Sequence, residues 1–404
     1  MSDIEVTPAP PVNEFKRGFW VLFASFVGIG VNVASMAYYA TGIWTRPWQE
    51  EFGWTRTEIG GQQTIAVLMM VICAPFAGRL IDRFGLKRVT TLSLLGYGLL
   101  LLAFTRMSGS LWELYVLSAA YAGIGVASTG IAFTRAVNAF FVRHRGLALG
   151  ICLTSTGVAA YLIPKFLTPY VDLHGWRAGF SVMFAIVMLA LPIVWFLIKE
   201  KPDAEEGVEQ DLPDGPSLGE ALRGLLFWRL GAIFFLLAVA LLGLVPAFIP
   251  LLLDTGMTPQ EAGSLGAIMG IALIAGRLLI GFLIDRVFAP YVTAVVFSLV
   301  GLGCLALAWG GISYAIIAAI ALGFAVGAEV DLIGYFTVRY FGLAHYGAIY
   351  GLQYSIFILG AGLAPIITGR IWDVTGNYDV ALVLAAGLMV PVVVLALSLP
   401  KFSR

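Results

Sequence analysis

Twelve apolar stretches leave this chain little choice of secondary structure. Crossing the hydrocarbon core of a bilayer takes about twenty apolar residues. Runs that meet this length fall at 18–42, 58–80, 87–106, 112–138, 146–168, 178–198, 227–253, 259–283, 290–309, 313–338, 346–369 and 379–399. Backbone amides in lipid have no water to bond, so each run must satisfy its own hydrogen bonds as a helix. The expected fold is an all-α membrane protein of twelve transmembrane helices. With 60% apolar and 12% charged residues, the chain lies far from soluble domains, which are about a quarter charged. Its net charge is zero, which provides no basic excess for nucleic acid. Cys73, Cys152 and Cys304 sit in separate apolar runs without metal-ligand spacing, so no metal or other cofactor is expected.

The polar segments set the organisation. Residues 1–17 read as a polar N-terminal tail, and no small-residue cleavage site follows, so 18–42 reads as an uncleaved first span. An acidic, proline- and glycine-containing linker at 199–226 separates a six-helix bundle at 18–198 from a second at 227–399, and 400–404 form a short tail. With both termini cytoplasmic, 16 of the 24 Lys and Arg fall inside and 6 outside, leaving Arg135 and Arg277 within helices. That bias sets the orientation. Adding 201 maps Phe140 to Phe341, His144 to His345, Pro164 to Pro365, Asp172 to Asp373 and Gly175 to Gly376. Six helices later the chain runs the same way, so the bundles form a parallel repeat about a pseudo-two-fold axis along the membrane normal. A cavity at their seam, with rocking about it, gives alternating access.

Between the second and third spans runs Gly78-Arg79-Leu80-Ile81-Asp82-Arg83-Phe84-Gly85-Leu86-Lys87-Arg88. Gly78 suits close helix approach, Gly85 a sharp reversal, and Asp82 offers the basic residues a partner. The stretch resembles the signature of the major facilitator superfamily, G-x-x-x-D-R/K-x-G-x-R/K-R/K, with Gly78, Asp82, Arg83, Gly85, Lys87 and Arg88 at its defined positions. Gly281, Asp285 and Arg286 repeat its first half where that family carries a weaker copy. The resemblance implies a transporter, not an enzyme, whose charged turns lock the outward-facing state by bridging the halves on the inside. Phe140-Phe141-Val142-Arg143-His144-Arg145-Gly146-Leu147-Ala148-Leu149-Gly150 is similar to the entry to helix five in monocarboxylate transporter-like members, departing at Phe140 and His144.

That branch also places an arginine four residues before the second motif's glycine, here Arg277 before Gly281. A lone guanidinium within a membrane must face water or an acid. Its planar fork suits a carboxylate, held by two parallel hydrogen bonds. The resemblance implies that Arg277 binds the substrate carboxylate; the other reading makes it a structural partner of Asp285 or another acid near the inner surface. In animal members an aspartate four residues earlier helps couple protons, but here Leu273 stands there, and the first-helix lysine has no counterpart between Val31 and Trp44.

Glu329 and Asp331 in the tenth span are candidate replacements. Two residues apart on a helix, they point about 200° from each other. Asp331 shares a stripe with Arg339 and reads as a structural partner, either along the helix toward Arg339 or against a neighbouring segment; Glu329 reads as the proton carrier. Arg135 is a second candidate anion contact or a part of the inner gate. Asn32, Tyr38, Tyr39, Tyr121, Gln353 and Tyr354 are candidate hydrogen-bonding groups to substrate or between helices. The expectation is a monomeric secondary transporter of an organic carboxylate, driven by proton-coupled uptake, in a bacterial inner membrane. Carboxylate exchange of the oxalate–formate type and export of hydrophobic compounds are the alternatives.

Overall fold

The structure, a computed structural model, describes residues 14–141, 144–199, 215–284, 286–342 and 345–402. Twelve helices are long and apolar enough to span a membrane. They are α1 Glu14–Phe52, α2 Arg56–Phe84, α3 Leu86–Phe104, α4 Leu111–Phe140, α5 Leu147–His174 and α6 Trp176–Leu197. The second set is α7 Leu225–Asp254, α8 Pro259–Ile284, α9 Ala289–Gly310, α10 Ile312–Phe341, α11 Ala348–Thr375 and α12 Asp379–Leu397. No strand occurs among the described residues. An even number of crossings returns the chain to its starting side, so one face carries both ends; the other is called distal below. A short helix, Leu218–Arg223, leads into α7 behind a Ser217–Glu220 capping box. Most of the acidic linker, 200–214, lies outside the described residues.

Buried apolar side chains gather into two large clusters. One is drawn from Val21 to Ile198, the other from Ala221 to Leu399 with Ala160 added. Each bundle therefore has its own core, and what joins them is the seam. The first span is longer than hydropathy suggests. Beyond 42 the sequence turns polar, yet α1 continues to Phe52 because Trp44 stacks on Phe180 at 4.4 Å and Trp48 packs fully buried against Trp176. Tertiary burial extends what hydropathy ends.

Three helices of the first bundle are interrupted. In α1, Asn32 leaves the helix, and its side chain accepts from the amides of Ala34 and Ser35, starting a wide turn over Val33–Ala37. In α4, a tighter turn occupies Val126–Ser128. In α5, the helix breaks at Thr154 and widens again over Ile163–Leu167 around Pro164. Their counterparts α7, α10 and α11 are unbroken beyond the first turn of α10. Such departures free backbone groups inside a membrane protein, which is tolerated only where another part of the protein meets them.

Toward the distal face the bundles press together through glycine. A β-carbon on Gly60 of α2 would lie 2.6 Å from the Pro365 carbonyl oxygen of α11, and one on Gly263 of α8 would lie 2.4 Å from that of Pro164 in α5. Pro164 and Pro365 are the repeat-related prolines, so both seams use one device: a proline carbonyl seated on a glycine. Toward the face with the termini, β-carbons on Gly150, Gly281 and Gly351 would meet nothing within 4 Å. The bundles meet distally and part on the side of the termini.

Two expectations for the charged turn change. Gly78 has open space where a β-carbon would point, so it admits no close neighbour. Asp82 pairs with Arg135 of α4, across the same bundle, instead of with the basic residues of its own turn. Gly85 does take the reversal, at φ +88°. Arg83 lies against Phe84 and Lys87 against Trp195, while Arg88 is exposed. In the second copy Arg286 lies over Phe282 at 3.5 Å, and Asp285 is outside the described residues. Neither turn joins the two bundles through a described contact in this conformation.

Candidate functional site

Arg277 sits on α8 about two turns from the end nearer the termini. Its guanidinium reaches in two directions. Nε lies 3.3 Å from Asp331 Oδ2 on α10. Nη1 donates to the Leu153 carbonyl across the seam at 2.8 Å, with the Thr156 hydroxyl at 3.4 Å. Leu153 is the last residue before the break in α5, and that interruption supplies the acceptor. The Nη2 edge makes no hydrogen bond among the described residues. One side of the fork is anchored and the other is open.

The tenth-span acids separate as their helical phase requires. Asp331 pairs with Arg277, not along its own helix with Arg339, which lies over Phe402. Its side chain is 33% exposed, the accessibility of a group facing the parted seam. Glu329 is 4% exposed, and its Oε2 has no hydrogen-bond partner among the described residues. Tyr38 and Tyr39 of α1 pack against the second bundle's core, and they and Tyr354 of α11 lie within electrostatic reach of Glu329. The Tyr38 hydroxyl is also buried without a hydrogen-bond partner among the described residues. The structure thus gathers Arg277, Asp331, Glu329, Tyr38, Tyr39 and Tyr354 from both bundles.

The other candidates lie elsewhere or are occupied. Arg135 is at the termini-side end of α4, 59% exposed, paired with Asp82. Asn32 caps the turn in α1. Gln353 is buried and donates to the Phe227 carbonyl within the second bundle. Tyr121 packs beside Tyr97 and edge-on to Phe104. Gln62 and Gln63 of α2, both buried with carbonyl oxygens unpartnered among the described residues, were not legible as site residues because amides in an apolar span read as interhelical contacts.

A second polar cluster closes the distal end, and its charges read from sequence only as span boundaries. Arg56 opens α2, 4% exposed. Its Nη2 lies 2.7 Å from Asp254 of α7, Nη1 donates to the Tyr378 hydroxyl at 2.5 Å, and Nε donates to Gln49 at 2.9 Å. The Trp372 ring covers the guanidinium at 3.7 Å. Asp373 of α11 accepts from the amides of Arg56 and Thr57 at 2.9 and 2.8 Å and from the Thr57 hydroxyl. Burial pushes the Tyr378 phenol up to about 12, the dominant effect over the nearby Arg56, which acts to lower it.

Twelve helices long and apolar enough to span a membrane, in two cored bundles, are the architecture of a membrane transporter rather than an enzyme. The sequence profile described as Major Facilitator Superfamily matches residues 20–287 and 230–403, and the chain belongs to that superfamily. Monocarboxylate transporter 11 of Homo sapiens is 26% identical over 374 residues, covering 87% of this chain and 77% of that protein. Its Mus musculus counterpart is 26% identical over 417 residues, covering 98% and 90%. The uncharacterized MFS-type transporter YhjX of Escherichia coli (strain K12) is 26% identical over 304 residues, covering 73% and 74%. In fold, the chain is similar to a bacterial homolog of the human lysosomal transporter Spinster, solved inward-facing and unoccupied. That match has TM-score 0.68 and 18% identity and covers 94% of each chain.

Proposed function

We propose that this protein carries an organic carboxylate across the membrane in company with a proton, and that Arg277 is the residue that holds the carboxylate. The observation carrying this reading is the half-open guanidinium: a half-buried cation at the bundle seam, anchored along one side, with a free edge beside an exchangeable acid. The sequence likeness to proteins named monocarboxylate transporters supports the same substrate class.

Asp331 supplies the coupling. At 3.3 Å and an effective dielectric near 20, its attraction to Arg277 is about 5 kcal/mol, comparable to the several kcal/mol lost in desolvating each ion. The pair is therefore close to balance, and a substrate carboxylate can take the aspartate's place if Asp331 accepts a proton as it lets go. Loss of that proton on the other side restores the pair and expels the anion. In this cycle Asp331 does in space what Leu273 cannot do in sequence. Glu329, buried among tyrosines, receives or relays the proton at the seam, and Tyr38, Tyr39 and Tyr354 orient the substrate.

The basic bias supports cytoplasmic termini, with the parted side facing inward from a bacterial inner membrane. The bundles 18–198 and 227–399 rock as units, with 199–226 as their cytoplasmic linker, and one chain is sufficient.

The test is uptake of labelled carboxylates into proteoliposomes with and without an inward proton gradient. Accumulation that a protonophore collapses supports symport. Arg277→Ala should lower it about a hundredfold, the loss of two charge-assisted hydrogen bonds. Asp331→Asn should keep exchange but lose response to the gradient. Exchange indifferent to the gradient in the unaltered protein would refute proton coupling.

A further inference from the structure

We propose that the Arg56 cluster is the lock of the distal mouth, and that its rupture is the step that opens the carrier to that side. Arg56 belongs to the first bundle; Asp254, Asp373, Trp372 and Tyr378 belong to the second. Every contact between these two sets crosses the seam, so none survives when the bundles separate distally. The cluster is satisfied on all sides. Arg56 spends its side-chain donors on Asp254, Tyr378 and Gln49, its face on Trp372 and its amide on Asp373. The Thr57 amide and hydroxyl complete the hold on Asp373.

The first turn of α2 explains why Asp373 docks there. Thr55 and Glu58 cap each other in a box that satisfies two donors. The amides of Arg56 and Thr57 are left, and Asp373 meets both. A helix N-terminus carries partial positive charge as well as free amides, so a carboxylate delivered from α11 is held by direct bonds and by the helix field. Trp372, next to Asp373, also donates its Nε1 to Asp254 at 3.1 Å. One helix end thus brings the acid, the ring over the cation and the donor to the second acid. Burying Arg56 to 4% exposure is costly without those partners.

The lock shifts the balance between mouths and leaves the carboxylate site alone. Breaking it should leave substrate binding from the termini side unchanged while raising the population open distally.

Electron–electron resonance distances test this in the full chain in lipid nanodiscs. Nitroxides at Ser110→Cys, in the loop before α4, and Ser313→Cys, in the first turn of α10, both exposed at the distal ends of opposite bundles, with Cys73 replaced by serine, report the mouth. Arg56→Ala and Asp373→Asn should each raise the ratio of long to short distances about tenfold or more, the expected effect of removing charge-assisted bonds. Arg56→Lys, which keeps charge and loses the fork, should fall between. Thr57→Val, which keeps the helix and removes one hydroxyl, guards against misfolding and should move the ratio in the same direction by a few-fold. Unaltered distance distributions in folded Arg56→Ala and Asp373→Asn proteins would overturn the lock. So would a shift accompanied by an equal loss of binding from the termini side, because the cluster would then support the site itself.

Discussion

The α2–α11 and α5–α8 seams begin from the same parts and finish with different chemistry. Each seats a proline carbonyl, Pro365 or Pro164, on a glycine of the facing helix. The helices that receive them, α2 and α8, each start with a T-x-x-E capping box, Thr55–Glu58 and Thr258–Glu261. The helices that deliver them, α11 and α5, carry repeat-related acids, Asp373 and Asp172. Only Asp373 docks; Asp172 is exposed and makes no ion pair among the described residues. The residue after the capping threonine differs. In α2 it is Arg56, whose amide donates to Asp373; in α8 it is Pro259, which has no amide hydrogen to donate. The duplicated framework sets where the bundles touch, and single residues set how firmly. Charge then sits at opposite ends of the two seams, with the lock at the distal end of α2–α11 and Arg277 nearer the termini in α5–α8.

The shared packing can be broken first, and with the largest effect. A β-carbon on Gly270 would lie 2.4 Å from the Tyr161 amide nitrogen, and one on Gly60 would lie 2.6 Å from the Pro365 oxygen. Both neighbours are backbone, so nothing yields short of separating the bundles. Gly270→Leu and Gly60→Leu should each abolish net uptake in proteoliposomes while widening the distal distance, because the closed mouth is needed once per cycle. Overpacking of one to three kcal/mol is the usual range within a single core, and a backbone clash across a moving seam belongs at its upper end. Uptake within about twofold of the unaltered protein would show that tight closure of this seam is needed at no step.

Converting one seam into the other sharpens the contrast. Pro259→Arg with Gln260→Thr gives α8 the donors that α2 presents and offers Asp172 a place to dock. A second lock should lower the distally open population about tenfold and slow uptake, with binding on the termini side unaffected. If the distances do not change, the acid on α5 lacks the reach of its counterpart.

A smaller change trims the existing lock. Tyr378→Phe removes one hydrogen bond to Arg56, about 1 kcal/mol or some fivefold in the open-to-closed ratio. The pH dependence has a definite sign. The closed state holds the phenol's proton more tightly, with its value pushed up to about 12 from an ordinary 10.0. Closure through Tyr378 is therefore constant below about pH 10 and weakens above it as the freed phenol ionises in the open state. Distances recorded from pH 6 to 9 should show no contribution from this residue.

The architecture was legible because lipid permits so few solutions. Hydropathy alone placed twelve helices, and the repeat showed which residues to compare. It missed the outer turns of α1, where Arg46, Gln49 and Glu50 mask a tryptophan-packed helix. It also missed every partner that depends on two distant segments meeting. Asp331 lies on a stripe with Arg339, and nothing in the sequence says that Arg277 of another helix is nearer. Leu153 could not be found at all, since its role belongs to a carbonyl exposed by a helix break. Arg56, Asp254 and Asp373 looked like ordinary charges at span ends, and only Asp373 left a trace, as the repeat of Asp172.

The weakest contact at the distal end tests whether α5–α8 depends on polar bonding there at all. Lys165 of α5 donates to the Ser264 hydroxyl of α8 at 2.9 Å. No carboxylate pairs with it among the described residues, and Ser264 also bonds back to the Gln260 carbonyl. A lone hydrogen bond near water exchanges one partner for another and contributes about 0.5 to 1 kcal/mol. Lys165→Met keeps the stem that packs along the seam and removes only the ammonium. The distal distance ratio should move by less than about threefold, well below the effect of Arg56→Ala. An effect equal to that of Arg56→Ala would mean that both seams are locked by charge, and the distinction between them would lie only in which partner the cation uses.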